Sequence, residues 1–333
     1  MKFTKEGKGL LITGVLVAMA ALNTGNNLIY LLTAMMLSLG WLDVVAGYFN
    51  LKKLSGDVVV EEPVYAGFSQ TAVYRFFNDR KHGPAFLVSL KDAEAGMFAV
   101  APLIDPEGMV EVKEAVTFAR RGRIRLSHTK LSSGYPFGFY RNVVKLKNPK
   151  SFLVYPELTD VRELLAGIQS IAGSGALPHP AGEDFTDIRP YRQGDPMRDV
   201  HWKATAKSGG LMVKEFRAGI SRNVTIALDN SAAATPEILE KGISLAASLV
   251  DLLFSEGHPV RVKTLSQISA PARSREQFYH IMDMLALVQP EELDSQTLND
   301  DGQEILLVVL CSRESPFRNL AQHAAGVFDA VGL

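Results

Sequence analysis

Apolar side chains dominate the first fifty residues. Residues 9–49 contain a single charged side chain, Asp43. A helix of this length covers about 60 Å, twice the roughly 30 Å hydrocarbon core, so two short crossings fit better than one. The polar run at residues 23–27 predicts the turn between them. We therefore expect a membrane hairpin over residues 1–54, with helices at about 9–24 and 28–49.

Lysines on both sides of the hairpin predict its orientation. Lys2, Lys5 and Lys8 precede it, Lys52 and Lys53 follow it, and the turn contains no lysine. The positive-inside rule then places both ends in the cytoplasm. The prediction is an inner-membrane protein with two membrane helices and cytoplasmic soluble domains.

Two features of this region allow alternative interpretations. Lysines followed by an apolar run also resemble a cleaved signal peptide, but the second apolar run that follows at once disfavours cleavage.

Asp43 is either a functional charge inside the membrane or a residue at headgroup depth. The nearby Trp41 and Tyr48 favour headgroup depth, because such side chains are enriched at membrane interfaces.

Residues 55–150 predict a β-rich domain. Short runs of alternating apolar and polar residues are separated by turn residues, and no useful helical periodicity is present. The pattern is typical of a small antiparallel sandwich or barrel. The predicted strands lie at residues 58–60, 71–77, 85–90, 109–118, 123–126 and 143–146.

Residues 151–333 predict a motif segment followed by an α/β domain. Apolar strands at 224–228, 259–265 and 305–310 alternate with two helical patterns. Thr235 followed by proline, and Ser274 with Gln277, are typical helix starts. This order indicates a parallel sheet covered by helices. The predicted fold is therefore multi-domain, with a transmembrane helical hairpin, a β-sandwich-like domain and a C-terminal α/β domain.

The segment between the β and α/β regions interleaves aromatic, basic and acidic residues. From Glu183 to Arg222 there are eight basic and six acidic side chains, a net charge of +2. This near balance favours internal ion pairing over a bare phosphate-binding stripe. Trp202 is expected to pack, with its indole N–H bonded to a neighbour.

This segment resembles the signature of the "domain of unknown function 58" family. Runs at 24–27, 135–138 and 155–158 also match the family. The motif residues that we expect to set a partner surface or its fold are Arg189, Tyr191, Arg192, Asp195, Arg198, His201, Trp202, Lys203 and Lys207.

The resemblance implies a membrane-anchored bacterial or archaeal protein without an assigned reaction. It also implies a C-terminal part similar to a von Willebrand factor type A domain. Family members are commonly encoded beside MoxR-type AAA+ ATPases. A partnership with such an ATPase in protein assembly or maturation is therefore the function that the resemblance implies.

A degenerate magnesium motif follows the first α/β strand. Type A domains bind Mg²⁺ through Asp-x-Ser-x-Ser, and this chain has Asp229 and Ser231 but Ala233 in the third position. Because Mg²⁺ requires near-octahedral oxygen ligation, the missing hydroxyl predicts weakened binding. The alternative is that Asp229 only caps the following turn.

Composition narrows the remaining function classes. The 333 residues carry 35 basic and 36 acidic side chains, a net charge of −1, which disfavours a generic nucleic-acid binder. The single cysteine, Cys311, excludes an internal disulfide and a cysteine-rich zinc site. Apart from possible magnesium, no cofactor is predicted.

Three functions remain open. No nucleophile elbow, zinc-protease motif or phosphate-binding loop is present, so an enzyme is disfavoured. If the protein is an enzyme, the best candidate site is a catalytic triad of His201, Ser208 and either Asp195 or Asp199. An anionic-ligand site, for lipid headgroups or nucleic acid, could use the motif cations or the basic residues 120–123. We favour a membrane-tethered interaction protein.

Overall fold

The computed structural model describes residues 2–146, 150–166, 183–192, 200–218, 223–292 and 305–331. The chain divides into two compact units, Met1–Val154 and Tyr155–Leu333. The first unit contains both the predicted hairpin and the predicted β domain. The second contains the motif segment and the α/β domain.

Two long apolar helices, α1 (Lys5–Thr24) and α2 (Asn27–Leu51), form the predicted hairpin. Thr4 and Asn26 cap their N-termini, each side chain accepting a hydrogen bond from a first-turn backbone amide. Gly25 ends α1 in the left-handed conformation at φ 62°, which favours glycine. The helices exceed the predicted 9–24 and 28–49 because the capping residues lie outside the apolar runs. Both are long and apolar enough to span a membrane.

Antiparallel sheets build the rest of the first unit, as predicted. Three sheets have the strand orders β1-β10-β9-β5-β6, β2-β4-β7 and β3-β11-β8. Their strands are β1 (Lys2–Phe3), β2 (Leu54–Val60), β3 (Val64–Tyr65), β4 (Ser69–Asn78), β5 (Ala85–Asp92), β6 (Met97–Ile104), β7 (Met109–Thr117), β8 (Gly122–Leu126), β9 (Lys130–Ser133), β10 (Tyr140–Lys145) and β11 (Lys150–Tyr155). The core between them is mainly apolar and includes Tyr74, Phe76, Leu90, Met97 and Leu131.

Each predicted β run overlaps a strand, but the sequence pattern missed several others. β6 was missed because its outward side chains, Phe98 and Val100, are apolar like its buried ones, so the run does not alternate. β9 has only four residues, too few for a clear period. β1 lies next to the start of α1 and pairs with β10, a partner that is distant in sequence.

Asp43 joins the second apolar helix to the β strands. Its side chain is buried, with 1% exposed. One carboxylate oxygen accepts the amide N–H of Phe137 and the other accepts that of Tyr140, each at 2.8 Å. A carboxylate that accepts charge-assisted bonds from two backbone amides is a strong local anchor. Asp43 therefore attaches the turn that precedes β10 to α2.

Four further residues complete this hairpin junction, which consists of Thr4, Gly7, Asp43, Gly47 and Asn50. The Thr4 hydroxyl donates to a carbonyl in the same turn at 2.7 Å. A side chain at Gly7 or Gly47 would overlap the β domain. Asn50 bonds both backbone groups of one β5 residue and a β9 serine hydroxyl at 2.8–2.9 Å. The hairpin is thus held to the five-stranded sheet at several points.

The second unit contains a parallel sheet with the order β15-β14-β16-β17. The strands β14 (Val224–Leu228), β15 (Val260–Lys263) and β16 (Ile305–Leu310) confirm the three predicted ones. β17 (Gly326–Asp329) was not predicted, because it has four residues and alternates only weakly in hydrophobicity.

Helices cover both faces of this sheet. On one face lies α4 (Pro236–Ser255), where Gly242 allows close approach to Cys311. The other face packs around Phe317 and a short helix, α6 (Arg318–Ala321). The predicted Thr235 cap of α4 and the capping box of α5 (Arg275–Leu287) are both present.

We predict that Asp43→Asn loosens the hairpin junction. The amide cannot accept both backbone hydrogen bonds, and an unmet buried amide N–H costs about 1–3 kcal/mol. Hydrogen–deuterium exchange of the full chain in mild detergent should therefore become faster in the segment 134–141. Ser38→Ala, a change at an exposed position of the same helix, should leave that segment unchanged. Equal protection of the segment in Asp43→Asn and the wild type would contradict the anchoring role.

Candidate functional site

The strand order of the parallel sheet locates its binding edge. β14 lies between β15 and β16, and the chain passes from β14 to β15 on one side before reaching β16 on the other. In open α/β sheets, ligands bind beyond the carboxyl ends of the strands at such a reversal point. Asp229 follows β14 and Cys311 follows β16, so both lie at this edge.

Asp229 is fully buried and ties the two strand ends together. One carboxylate oxygen accepts the Ser231 amide N–H at 3.0 Å, and the other accepts the Cys311 amide N–H at 3.2 Å. The neighbouring Asn230 is also fully buried. Its side chain accepts from the Leu265 amide and donates to the Gln289 carbonyl, both at 3.0 Å. These two side chains therefore organise the loops of this edge.

The donor set at this edge does not fit magnesium. Both Asp229 oxygens already bind backbone amides, and the residue has no exposed surface. Ser231 and Ser312 have buried hydroxyls without a hydrogen-bond partner, but Ala233 supplies no oxygen. Within the described residues, no three His, Cys, Asp or Glu side chains are grouped to hold a metal. Because Mg²⁺ prefers six oxygens and keeps several waters, a closed site with one carboxylate is unsuitable. The geometry corresponds to the alternative in which Asp229 stabilises the turn.

Cys311 is buried beside this carboxylate. Burial raises the pKa of its thiol to about 12, and the charges of Asp229 and Asp329 add to this effect. A thiol with this pKa is almost entirely protonated at neutral pH. Since the thiolate is the reactive form, Cys311 is not suited to act as a nucleophile.

The motif segment forms a strand pair with a short helix between the strands. β12 (Glu183–Pro190) and β13 (Met212–Ala218) pair antiparallel, and α3 (Trp202–Ser208) lies between them in sequence. His201 caps α3, because its Nδ1 accepts the Ala204 amide N–H at 3.0 Å. This bond occupies the ring nitrogen and gives His201 a structural role. Asp195, Arg198 and Asp199 lie outside the described residues.

The surface of α3 carries the exposed part of the motif. The expectation that Trp202 packs is wrong: 64% of this residue is exposed. Lys203 and Lys207 are also exposed, and neither makes an ion pair with a carboxylate of the described residues. Their i, i+4 spacing places them on one side of the helix. The packing expectation failed because the buried contact of this short helix is at Val200, before the tryptophan.

The other predicted motif residues lie at the end of β12. Arg189 Nη1 donates to the Pro190 carbonyl at 3.2 Å. The Tyr191 amide donates to the Leu211 carbonyl at 2.8 Å, which continues the pairing with β13. Arg192 is exposed. These residues lie close to the strand pair, whereas Trp202, Lys203 and Lys207 lie on α3.

Several structurally important polar residues were not predicted. They include Asn50, at the end of an apolar run, and Asn230, beside the more conspicuous Asp229. A polar side chain at the end of an otherwise apolar helix was the available signal for Asn50. Asn230 gave no sequence signal, because its partners lie more than thirty residues away along the chain.

The comparisons with known proteins agree with the motif. Residues 187–301 match the family described as "Protein of unknown function DUF58", which confirms the family resemblance. The matched region includes the end of β12, all of β13 and the strands β14 and β15 of the parallel sheet, and it ends before β16. The chain also has two apolar N-terminal helices. The "Uncharacterized protein YeaD" of Bacillus subtilis (strain 168) is 22% identical over 127 residues. That alignment covers 37% of this chain and 31% of the relative, so the chain spans less than a third of that protein.

We predict that Asp229→Asn destabilises the protein independently of magnesium. The variant loses one of two buried charge-assisted bonds, at a cost of about 1–3 kcal/mol. Thermal unfolding of the full chain should show a lower Tm, unchanged by added Mg²⁺ or by a chelator. Ser231→Ala keeps both carboxylate bonds to backbone amides and should have little effect. A wild-type Tm that rises with Mg²⁺ while that of Asp229→Asn does not would contradict this account.

We also predict that Cys311 resists thiol reagents in the folded protein. Its burial and a pKa of about 12 leave almost no thiolate at neutral pH. Maleimide labelling followed by intact mass spectrometry should show no adduct in mild detergent and one adduct after denaturation. Rapid labelling of the native protein would show that the strand end opens.

Proposed function

We propose that this protein is a membrane-tethered interaction protein. The observation that carries the proposal is the hairpin junction, which attaches two helices with exposed apolar side chains to a folded β domain. Exposed apolar surface of this extent on a single hairpin requires a cover, and a bilayer supplies it. Trp41 and Tyr48 lie near the junction and are exposed, as expected for residues at a membrane interface.

The proposed orientation places both helix ends at the cytoplasmic side of the inner membrane. Lys2, Lys5 and Lys8 flank the start of α1, and Lys52 and Lys53 follow α2. The opposite end of the hairpin has no lysine or arginine. This distribution supports cytoplasmic soluble units through the positive-inside rule.

The proposed partner surface is the exposed side of α3. Trp202 presents a large aromatic surface, and tryptophan is enriched among residues that dominate binding energy at interfaces. Lys203 and Lys207 add two positive charges without a described carboxylate partner. This surface is suited to a partner groove with an apolar pocket and acidic rim.

The partner that we propose is an AAA+ ATPase of the MoxR type. This choice rests on the resemblance to the "domain of unknown function 58" family. The α/β sheet, with Asp229 at the end of a central strand, supports the type A-like part of that resemblance. Assistance to the ATPase in protein assembly or maturation is the corresponding cellular role.

We predict that replacing the α3 surface removes the ATPase. Wild type and Trp202→Ala/Lys203→Ala/Lys207→Ala should be purified from crosslinked, gently solubilised membranes at native expression. Loss of a central tryptophan contact costs at least about 2 kcal/mol, so recovery of the ATPase should fall roughly 30-fold. Quantitative mass spectrometry provides the measurement.

Two controls make this result specific. Lys241→Ala removes an exposed positive charge from α4 in the same unit and should retain the partner. Melting curves should show that the triple variant remains folded, since its substituted side chains are exposed. If crosslinked wild type yields no ATPase, or if both variants bind equally well, the proposal is wrong.

A further inference from the structure

One face of the five-stranded sheet carries an unusual row of positive charge. Lys91 on β5 lies directly opposite Lys130 on β9, and Lys130 lies directly opposite Lys145 on β10. Directly opposed side chains point to the same face, with Cβ atoms about 5 Å apart. None of the three lysines makes an ion pair with a carboxylate of the described residues. Like charges in this register destabilise a sheet in water, so the row requires an explanation.

Large apolar side chains are exposed on the same face. Phe98 on β6 lies directly opposite Lys91, and Val100 lies opposite Ser89. Phe98 and Leu87 are 53% and 55% exposed. Leu87 has a φ of 46°, a conformation that bulky residues rarely adopt. The sheet thus presents both cations and apolar side chains to its surroundings.

Small hydroxyl side chains lie next to the lysine row, two residues away along β5 and β9. Ser89 and Ser132 are opposed, and their hydroxyl oxygens are 2.8 Å apart. A shallow cleft of about 380 Å³ adjoins them, with Phe137 and Arg141 in its lining. Arg141 also lies opposite Lys2 at the edge of the sheet. The face therefore carries small side chains beside the lysine row, and cations lie at two levels along the strands.

This sheet is continuous with the membrane hairpin. Its edge strand β1 is followed by Thr4, which begins α1. Its strand β10 begins at Tyr140, whose amide is held by Asp43 of α2. Phe3 and Tyr140, opposed in the sheet, also line a groove between the two helices. The sheet is therefore attached to the end of the hairpin that carries the flanking lysines at residues 2–8 and 52–53.

We propose that this face, the lysine face (Leu87, Lys91, Phe98, Lys130 and Lys145), docks on the anionic phospholipid headgroups of the membrane that holds the hairpin. Anionic headgroups neutralise the opposed lysines, and the apolar side chains enter the interfacial layer. Each lysine near an anionic surface contributes about fivefold to binding. The inference rests on the membrane anchoring proposed above. A nucleic-acid occupant fits less well, because it leaves the exposed leucine and phenylalanine without an apolar environment.

The test uses a fluorescent reporter on the lysine face of the full chain. Val100→Cys, labelled with an environment-sensitive dye, reports whether the face is wet, and the buried Cys311 should remain unlabelled. The protein is placed in nanodiscs of phosphatidylcholine alone or with phosphatidylglycerol. Dye emission should shift to shorter wavelength only in the anionic discs, and added salt should reverse the shift.

Matched charge variants identify the cause. The first is the triple variant Lys91→Gln/Lys130→Gln/Lys145→Gln. It should lower the ratio of protein with a docked lysine face to protein with an undocked one by roughly 100-fold. Lys113→Gln/Arg123→Gln/Arg125→Gln removes the same charge from exposed positions on other sheets and should retain the shift. If both variants lose the emission shift to the same extent, the proposed role of the lysine face is wrong.

A second reporter separates this inference from the anchoring proposal. Val15→Cys lies on an exposed apolar position of α1 and should report a dry environment in both kinds of disc. If the dye at position 15 reports an apolar environment but the dye at position 100 stays exposed to water, only the lysine-face inference fails. If Val15 is also wet, the membrane anchor fails. An emission shift produced by a short oligonucleotide, but not by anionic lipid, would overturn the inference in favour of a nucleic-acid site.

Discussion

The carboxylate of Asp43 is the interaction on which the first unit depends. Two apolar helices have little reason to hold a fixed direction relative to a β domain, because apolar contacts are not directional. Two hydrogen bonds to the amides of Phe137 and Tyr140 supply that direction. The glycines of the hairpin junction then allow the helix and strand backbones to approach closely. The groove beside Tyr140 and the position of the lysine face follow from this attachment.

Asp229 plays a comparable part in the second unit. It accepts backbone amides from its own turn and from the end of the neighbouring strand. In both units a buried acid is stabilised by amide dipoles, and no described cation forms a salt bridge with either one. Such a carboxylate fixes backbone groups that belong to different elements and would otherwise remain unsatisfied. The two backbone contacts of Asp229 favour this structural role as the alternative to the weakened magnesium binding that the Asp-x-Ser pattern predicts.

The motif segment divides into residues that build it and residues that it exposes. His201 caps α3, and its backbone amide donates to the Met212 carbonyl of β13 at 2.8 Å. Val200 is buried and bridges to Val213, so both residues hold the start of α3 at the strand pair. Trp202, Lys203 and Lys207 face outward from the same short helix. A family signature therefore combines scaffold and surface in consecutive positions, and residue type alone does not separate them. The exposed tryptophan is what makes this segment a candidate partner surface.

Local patterns by themselves determined the two apolar helices, the antiparallel β region and the main α/β elements. The caps at Thr235 and Ser274 were also readable, since their partners lie within one helical turn. Only the tertiary structure decided the roles of Asp43 and Asp229, whose partners lie 94 and 82 residues away. It also decided that Lys91, Lys130 and Lys145 share one row, because strand register depends on pairing between distant segments. Hydrophobic periodicity reports which side of an element is buried, but it contains no information about which distant group will meet it.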